Sequence, residues 1–158
     1  MFSVAVQPPS QARANTRLYP PLIAMGYPSG TTEADVPYLF ATAVLRDSEG
    51  NLIPEQLVGT LTAGGACAED RRLPGTSQPI VFMFPNLSVA YEGSYSIRVD
   101  VYRVDFGDAQ GAILVDQVES RRFDVYDVDV PSQKPSPEEH SIIRKLRDQG
   151  YSVPSSPV

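Results

Sequence analysis

Between Ser94 and Tyr102 the chain alternates without a break, with Tyr95, Ile97, Val99 and Val101 separated by Ser96, Arg98 and Asp100. Side chains point to opposite faces of an extended backbone, so this spacing makes a strand with one dry side. That dry side must be covered by another layer, and the rest of the chain offers mainly more strands. Phe2, Val4 and Val6 alternate and predict a strand with one buried face, ended by Pro8-Pro9. Leu22 to Met25, Tyr38 to Leu45 and Ile80 to Phe84 are nearly continuous apolar runs. Leu57 to Thr62, Ala112 to Val118 and Phe123 to Val130 complete the set. Most of the 11 glycines and 15 prolines fall between these runs as turn signals, as in the turn Asp47 to Asn51. Seven to eight short strands predict an all-β, immunoglobulin-like sandwich. Tyr27 to Asp35 and Ala63 to Thr76 read as long loops.

One helix closes the pattern. Ser136-Pro137-Glu138-Glu139 combines an N-cap serine, a proline at the first helical position and a glutamate three residues after the cap. Ile142, Ile143 and Leu146 form a narrow apolar stripe, and Gly150 is a terminator. A helix this short is marginal alone, so the stripe must dock on the sandwich or on a partner. With 158 residues the expectation is one domain over residues 1–151: a sandwich to 130, a linker at 131–135 and the helix at 136–150. Residues 152–158 read as a disordered tail.

The segment from Phe82 to Ile97 carries the most specific local signal. Immunoglobulin-like domains place a tyrosine where the chain crosses between sheets, its ring inside and its hydroxyl bonded to backbone just upstream. Here Phe82, Phe84 and Leu87 lead in, Glu92-Gly93 bends, and Tyr95 is the corner residue. The alternative is an ordinary hairpin with a buried tyrosine.

Little in the chain suggests catalysis. Cys67 and His140 stand alone of their kinds, too few for a triad or a zinc site, and read as a small loop residue and a solvated helix residue. Gly64-Gly65 is followed by no Lys-Ser/Thr, so it is not a phosphate loop. No enzyme activity, cofactor, metal or small-molecule substrate is expected. No apolar run reaches membrane-spanning length. The first ten residues lack the marks of a signal peptide, and a single cysteine permits no internal disulfide, so a reducing compartment is expected.

Charge is unevenly placed. The net value is −6, yet residues 1–32 carry Arg13 and Arg17 and no acid. Residues 100–129 hold eight acids against Arg103, Arg121 and Arg122. Any grip on a polyanion has to come from one end of the molecule.

The string Phe84-Pro85-Asn86-Leu87-Ser88-Val89-Ala90-Tyr91-Glu92-Gly93-Ser94-Tyr95 closely resembles the F-P-x-L-S-V-x-x-E-G-x-Y segment of the velvet family of fungal regulators. Val6-Gln7-Pro8 with Ala12-Arg13-Ala14, Pro20 to Ile23, Leu57 to Leu61, Asp116 to Val118 and Phe123 to Tyr126 resemble further pieces of that family, in order. The likeness runs over roughly residues 4–151. It implies a Rel-homology-like sandwich acting in transcriptional control of sporulation, development and secondary metabolism. It also implies homo- or heterodimers in nucleus and cytoplasm, and an N-terminal basic loop that contacts DNA. That loop is shortened here to Asn15 to Tyr19, and only Arg13 and Arg17 remain of its basic residues. Two readings stay open. In one, Arg13 and Arg17, with Arg71 and Arg72, touch duplex DNA. In the other, the chain is an interaction module that dimerises with a basic velvet protein and leaves DNA to that subunit. A secreted adhesion-type sandwich is a distant third.

Overall fold

The alternating segment lies in the middle of the longest strand. A computed structural model describes residues 2–27, 38–67, 79–104, 107, 111–154 and 156. Its strands are β1 (Phe2–Val6), β2 (Gln11–Arg13), β3 (Leu22–Gly26), β4 (Leu39–Asp47), β5 (Leu57–Val58), β6 (Thr62–Gly64) and β7 (Ala66–Cys67). They continue with β8 (Ile80–Phe84), β9 (Ser88–Val89), β10 (Gly93–Val104), β11 (Ala112–Glu119) and β12 (Phe123–Tyr126), and the helix is α1 (Pro137–Asp148).

The strands build an all-β sandwich. One sheet has the order β1-β3-β8-β7, and the larger has the order β2-β12-β10-β4-β6. β10 runs antiparallel to β4 from Tyr95 opposite Asp47 to Arg103 opposite Leu39. Its other side is covered by β12 at Gly93 to Tyr95 and by β11 at Arg98 to Val104. Between them Ser120 N–H donates to Ile97 O at 2.9 Å, and Ser120 Oγ accepts from Ile97 N at 3.0 Å. β11 and β12 therefore flank the same side of β10 in succession, interrupted at Ser120–Arg122.

The strand count exceeds the seven or eight read from the pattern because β2, β5, β6, β7 and β9 are two- or three-residue pieces, too short to show alternation. The expected Leu57–Thr62 strand breaks at Gly59. Its φ is +124°, and a Cβ there would stand 2.4 Å from Asn86 O. The long loop expected from Ala63 begins with β6 on the larger sheet and β7 on the smaller. At the far end, β12 stops at Tyr126 rather than Val130.

Leu39, Ala41, Ala43 and Leu45 of β4 meet Tyr95, Ile97, Val99 and Val101 of β10 in the core between the sheets. Leu22, Ala24, Phe82 and Phe84 fill it from the smaller sheet. The residues between those, Ile23 and Val81, belong to a second cluster with Val6, Ile143, Leu146 and Val153. The smaller sheet is thus buried on both faces, which is why β3 and β8 read as continuous apolar runs. Val6 corrects the reading of one dry face for β1. The register slips between Val4 and Val6, and the irregularity turns Val6 to the helix side.

The helix docks on its own sandwich. Ser136 Oγ accepts from Glu139 N at 3.2 Å, and Glu139 Oε1 accepts from Ser136 N at 2.9 Å, completing the capping box. The other oxygen, Oε2, accepts from Gln7 N at 2.7 Å, so the cap also ties α1 to the end of β1. Ile143 and Leu146 are fully buried and Ile142 packs beside them, which leaves no open stripe for a partner. Nor does the chain leave the domain at Tyr151. Val153 is only 5% exposed in the same cluster, because a lone valine in a polar tail still gains by covering the sheet. Leu146→Ala should therefore lower stability by about 2–5 kcal/mol in urea denaturation. Ending the chain after Tyr151 should lower it as well. Unchanged midpoints in both would place this cluster outside the folding core.

Candidate nucleic-acid interface

The surface that carries Arg13 and Arg17 is built outward from Tyr95. The phenol oxygen lies 2.9 Å from Glu92 O, 3.1 Å from Tyr91 O and 3.2 Å from Gln56 Oε1. The hydroxyl has one proton, and the nearest carbonyl, that of Glu92, takes it. This is the corner arrangement expected of an immunoglobulin-like domain. Gly93 is required beside it, since a Cβ at φ +154° would stand 2.7 Å from the Tyr95 oxygen. The corner fixes where β9 begins and ends. β5 pairs β9, with Leu57 opposite Val89 and Val58 opposite Ser88, and Ala90 N donates to Gln56 O at 2.9 Å.

The other side of β9 holds the segment between β2 and β3. Leu18 N donates to Leu87 O at 2.7 Å and Asn15 N to Val89 O at 2.8 Å. Asn15 has φ +60°, a left-handed conformation that asparagine tolerates, and its side-chain Nδ2 donates to Ala90 O at 3.3 Å. Upstream, β2 lies parallel to β12, with Arg13 opposite Tyr126, and Ala14 N donates to Tyr126 O at 2.8 Å. The Leu87 to Ala90 segment therefore acts as a rack for the short loop, which presents Arg17, while Arg13 stands just before it at the end of β2.

Arg13 and Arg17 line one cleft of about 170 Å³, together with Gln11, Thr16 and Asp129. Arg17 also lines a second, larger cleft of about 470 Å³, with Asn86, Arg147 and Tyr151. Arg13 Nη1 is paired with Asp129 Oδ1 at 2.6 Å, both side chains being largely exposed. Arg17 Nη2 donates to Ser156 O at 3.1 Å. The structure thus brings together two of the four arginines singled out in the sequence. Arg71 and Arg72 lie outside the described residues. Sequence reasoning missed Asp129 as the counter-ion of Arg13 and gave Arg147 no place beside Arg17. No short-range pattern links residues so far apart in the chain.

The model of the family described as velvet factor matches residues 4–155. The chain belongs to the velvet family. A comparison with curated proteins found no match.

For this velvet domain the surroundings of the two arginines matter as much as the arginines. Much of the acidity at residues 100–129 is internally engaged. Asp100 is buried and gripped by Arg98 at 2.8 and 3.1 Å and by Gln117 at 3.0 Å. Asp116 accepts from Phe2 N at 2.8 Å, and Glu119 binds Arg46 and Ser96. Near the corner, Glu92 and Asp127 share a hydrogen bond. Asp127's carboxyl, by that bond and then by its charge, pushes the Glu92 carboxyl above the usual carboxylate range. Among the described residues no group of three Cys, His, Asp or Glu side chains is placed to hold a metal ion. No helix among them is long and apolar enough to cross a membrane.

The corner makes a testable contribution. Burial, and then the charge of Asp47, push the Tyr95 phenol above its ordinary value. A tyrosine whose folded pKa exceeds its unfolded one contributes stability fully below about pH 10 and loses it as pH rises through the folded value. Tyr95→Phe should cost roughly 0.5–1.5 kcal/mol at neutral pH. It should also flatten the alkaline fall of stability above about pH 10. Urea titrations across that range check both, and an unchanged midpoint at neutral pH would sink the corner's energetic role.

Proposed function

We propose that this velvet-family chain is a transcriptional regulator of fungal development, sporulation and secondary metabolism. It works in nucleus and cytoplasm as a homo- or heterodimer with another velvet domain, and it touches duplex DNA through Arg13 and Arg17. The observation that carries the reading is that these two guanidinium groups line one cleft, Arg13 from the end of β2 and Arg17 from the loop racked by the family's own Leu87–Ala90 segment. The family is one of regulators, not of enzymes, and the match spans nearly the whole chain. Two arginines neutralise two phosphates, so the isolated chain should show a shallow slope of about −2 in log affinity against log salt. A net charge of −6 opposes that contact, and a basic velvet partner would supply further phosphate contacts.

A second reading is supported by specific features. Asp129 already neutralises Arg13, and β11 exposes Leu114 and Val115 while pairing, among the described residues, only with β10. These features suit a module that assembles with a partner and leaves DNA to it. Charge reversal separates the readings. Duplex DNA is titrated with the chain alone and with a basic velvet partner, over a salt series, using wild type and the Arg13→Glu/Arg17→Glu double variant. Loss of affinity and a shallower slope in the variant complex are expected. An unchanged complex would favour the pure interaction module.

A further inference from the structure

We infer that Arg147 and the cleft it shares with Arg17 form a second phosphate-binding step, carrying the DNA backbone from Arg13 past Arg17 onto α1. The inference rests on the DNA-contacting reading above. Arg17 lines both clefts, so the two depressions adjoin at one side chain. Among the described residues lining them, the charged ones are Arg13, Arg17, Arg147 and Asp129. The acid stands at the Arg13 end and is tied to Arg13, so the Arg17–Arg147 end carries cations alone. In a chain of net charge −6, three guanidinium groups spread over two adjoining clefts form a place where a polyanion is favoured. Their spread over two clefts, rather than convergence in one, suits a polymer of phosphates better than one small anion.

Arg147 is also held in position. Leu146 beside it is fully buried against the smaller sheet. The helix end is closed by Gly150 N donating to Arg147 O at 3.0 Å and Tyr151 N to Leu146 O at 3.1 Å. The charge of Arg147 reaches Tyr19, a lining residue of the first cleft, where it opposes the upward push of burial on the phenol. Among the described residues, Arg17 donates from Nη2 to Ser156 O, one of the five donors of its guanidinium fork. Arg144, exposed on the same helix, lines neither cleft and is the natural control.

The test measures salt-dependent duplex binding in whichever form of the wild type binds, chain alone or velvet complex. It compares Arg147→Gln, Arg147→Lys and Arg144→Gln after thermal melts confirm folding. Arg147→Gln should make the slope shallower by about 0.9, so that the wild-type advantage shrinks about 3.5-fold between 50 and 200 mM salt. Arg147→Lys should keep the wild-type slope, since the charge is retained, and this variant separates a lost contact from a lost fold. Arg144→Gln should leave the slope unchanged. A wild-type slope in Arg147→Gln, with DNA still bound, would overturn the second step and leave the Arg13–Arg17 contact standing. Inorganic phosphate at matched ionic strength should displace DNA no better than chloride; stronger displacement would mean a small-anion pocket and overturn the inference. No wild-type binding in either form would overturn the DNA-contacting reading and this step with it.

Discussion

A single phenol oxygen, set against the carbonyls of Tyr91 and Glu92, determines how the chain turns from β9 into β10. The contact is modest in energy, about the net value of one hydrogen bond. Its importance lies in what is attached to either side. β10 is the strand on which β4, β11 and β12 all pair, so the corner sets the start of the larger sheet. β9 is the strand whose neighbouring carbonyls hold Asn15 and Leu18. The loop bearing Arg17, directly after Arg13 of β2, therefore inherits its position from the corner through two backbone hydrogen bonds. This explains in physical terms why Leu87, Ser88, Val89, Glu92, Gly93 and Tyr95 come as one string. Leu87 and Val89 are buried, Ser88 pairs with β5, Gly93 makes room, and Tyr95 fastens the bend.

Electrostatics divides the molecule in the same direction. The acids of the β10–β11 side are largely bonded to Arg98, Arg46 or backbone N–H groups, so they serve the fold more than they project a field. Arg13 and Arg17 line one cleft instead, and Arg17 and Arg147 line the next. Asp129 is the exception. It sits on a chain that has left the sheet after Tyr126, and its pairing with Arg13 is a surface contact of small worth that phosphate can displace.

Much of this was legible before any coordinates. The alternation of β10, the corner at Tyr95, the capping box at Ser136 and the apolar stripe of α1 are local patterns with local causes, and each stands where the spacing put it. The continuous apolar runs of β3 and β8 held the further information that the smaller sheet is covered twice, by β-sheet and by helix. What stayed hidden depends on contacts across the chain. The register slip that turns Val6 outward, the seating of Val153 and the meeting of Arg17 with Arg147 leave no periodic trace. The shortest strands were invisible for a simpler reason, since two residues cannot alternate.

The central claim is that the arginine-bearing loop is a fixed part of the domain, racked on β9 and dependent on the corner. Residue-resolved amide hydrogen exchange tests it most directly. The Leu18 N–H, bonded to Leu87 O, and the Asn15 N–H, bonded to Val89 O, should be protected together with the Ala90 N–H. All three should lose protection together when the Tyr95 hydroxyl is removed. Loop amides exchanging at the rate of an open chain while Ala90 stays protected would contradict the account, because Arg17 would then be carried by a loop that the sandwich does not hold.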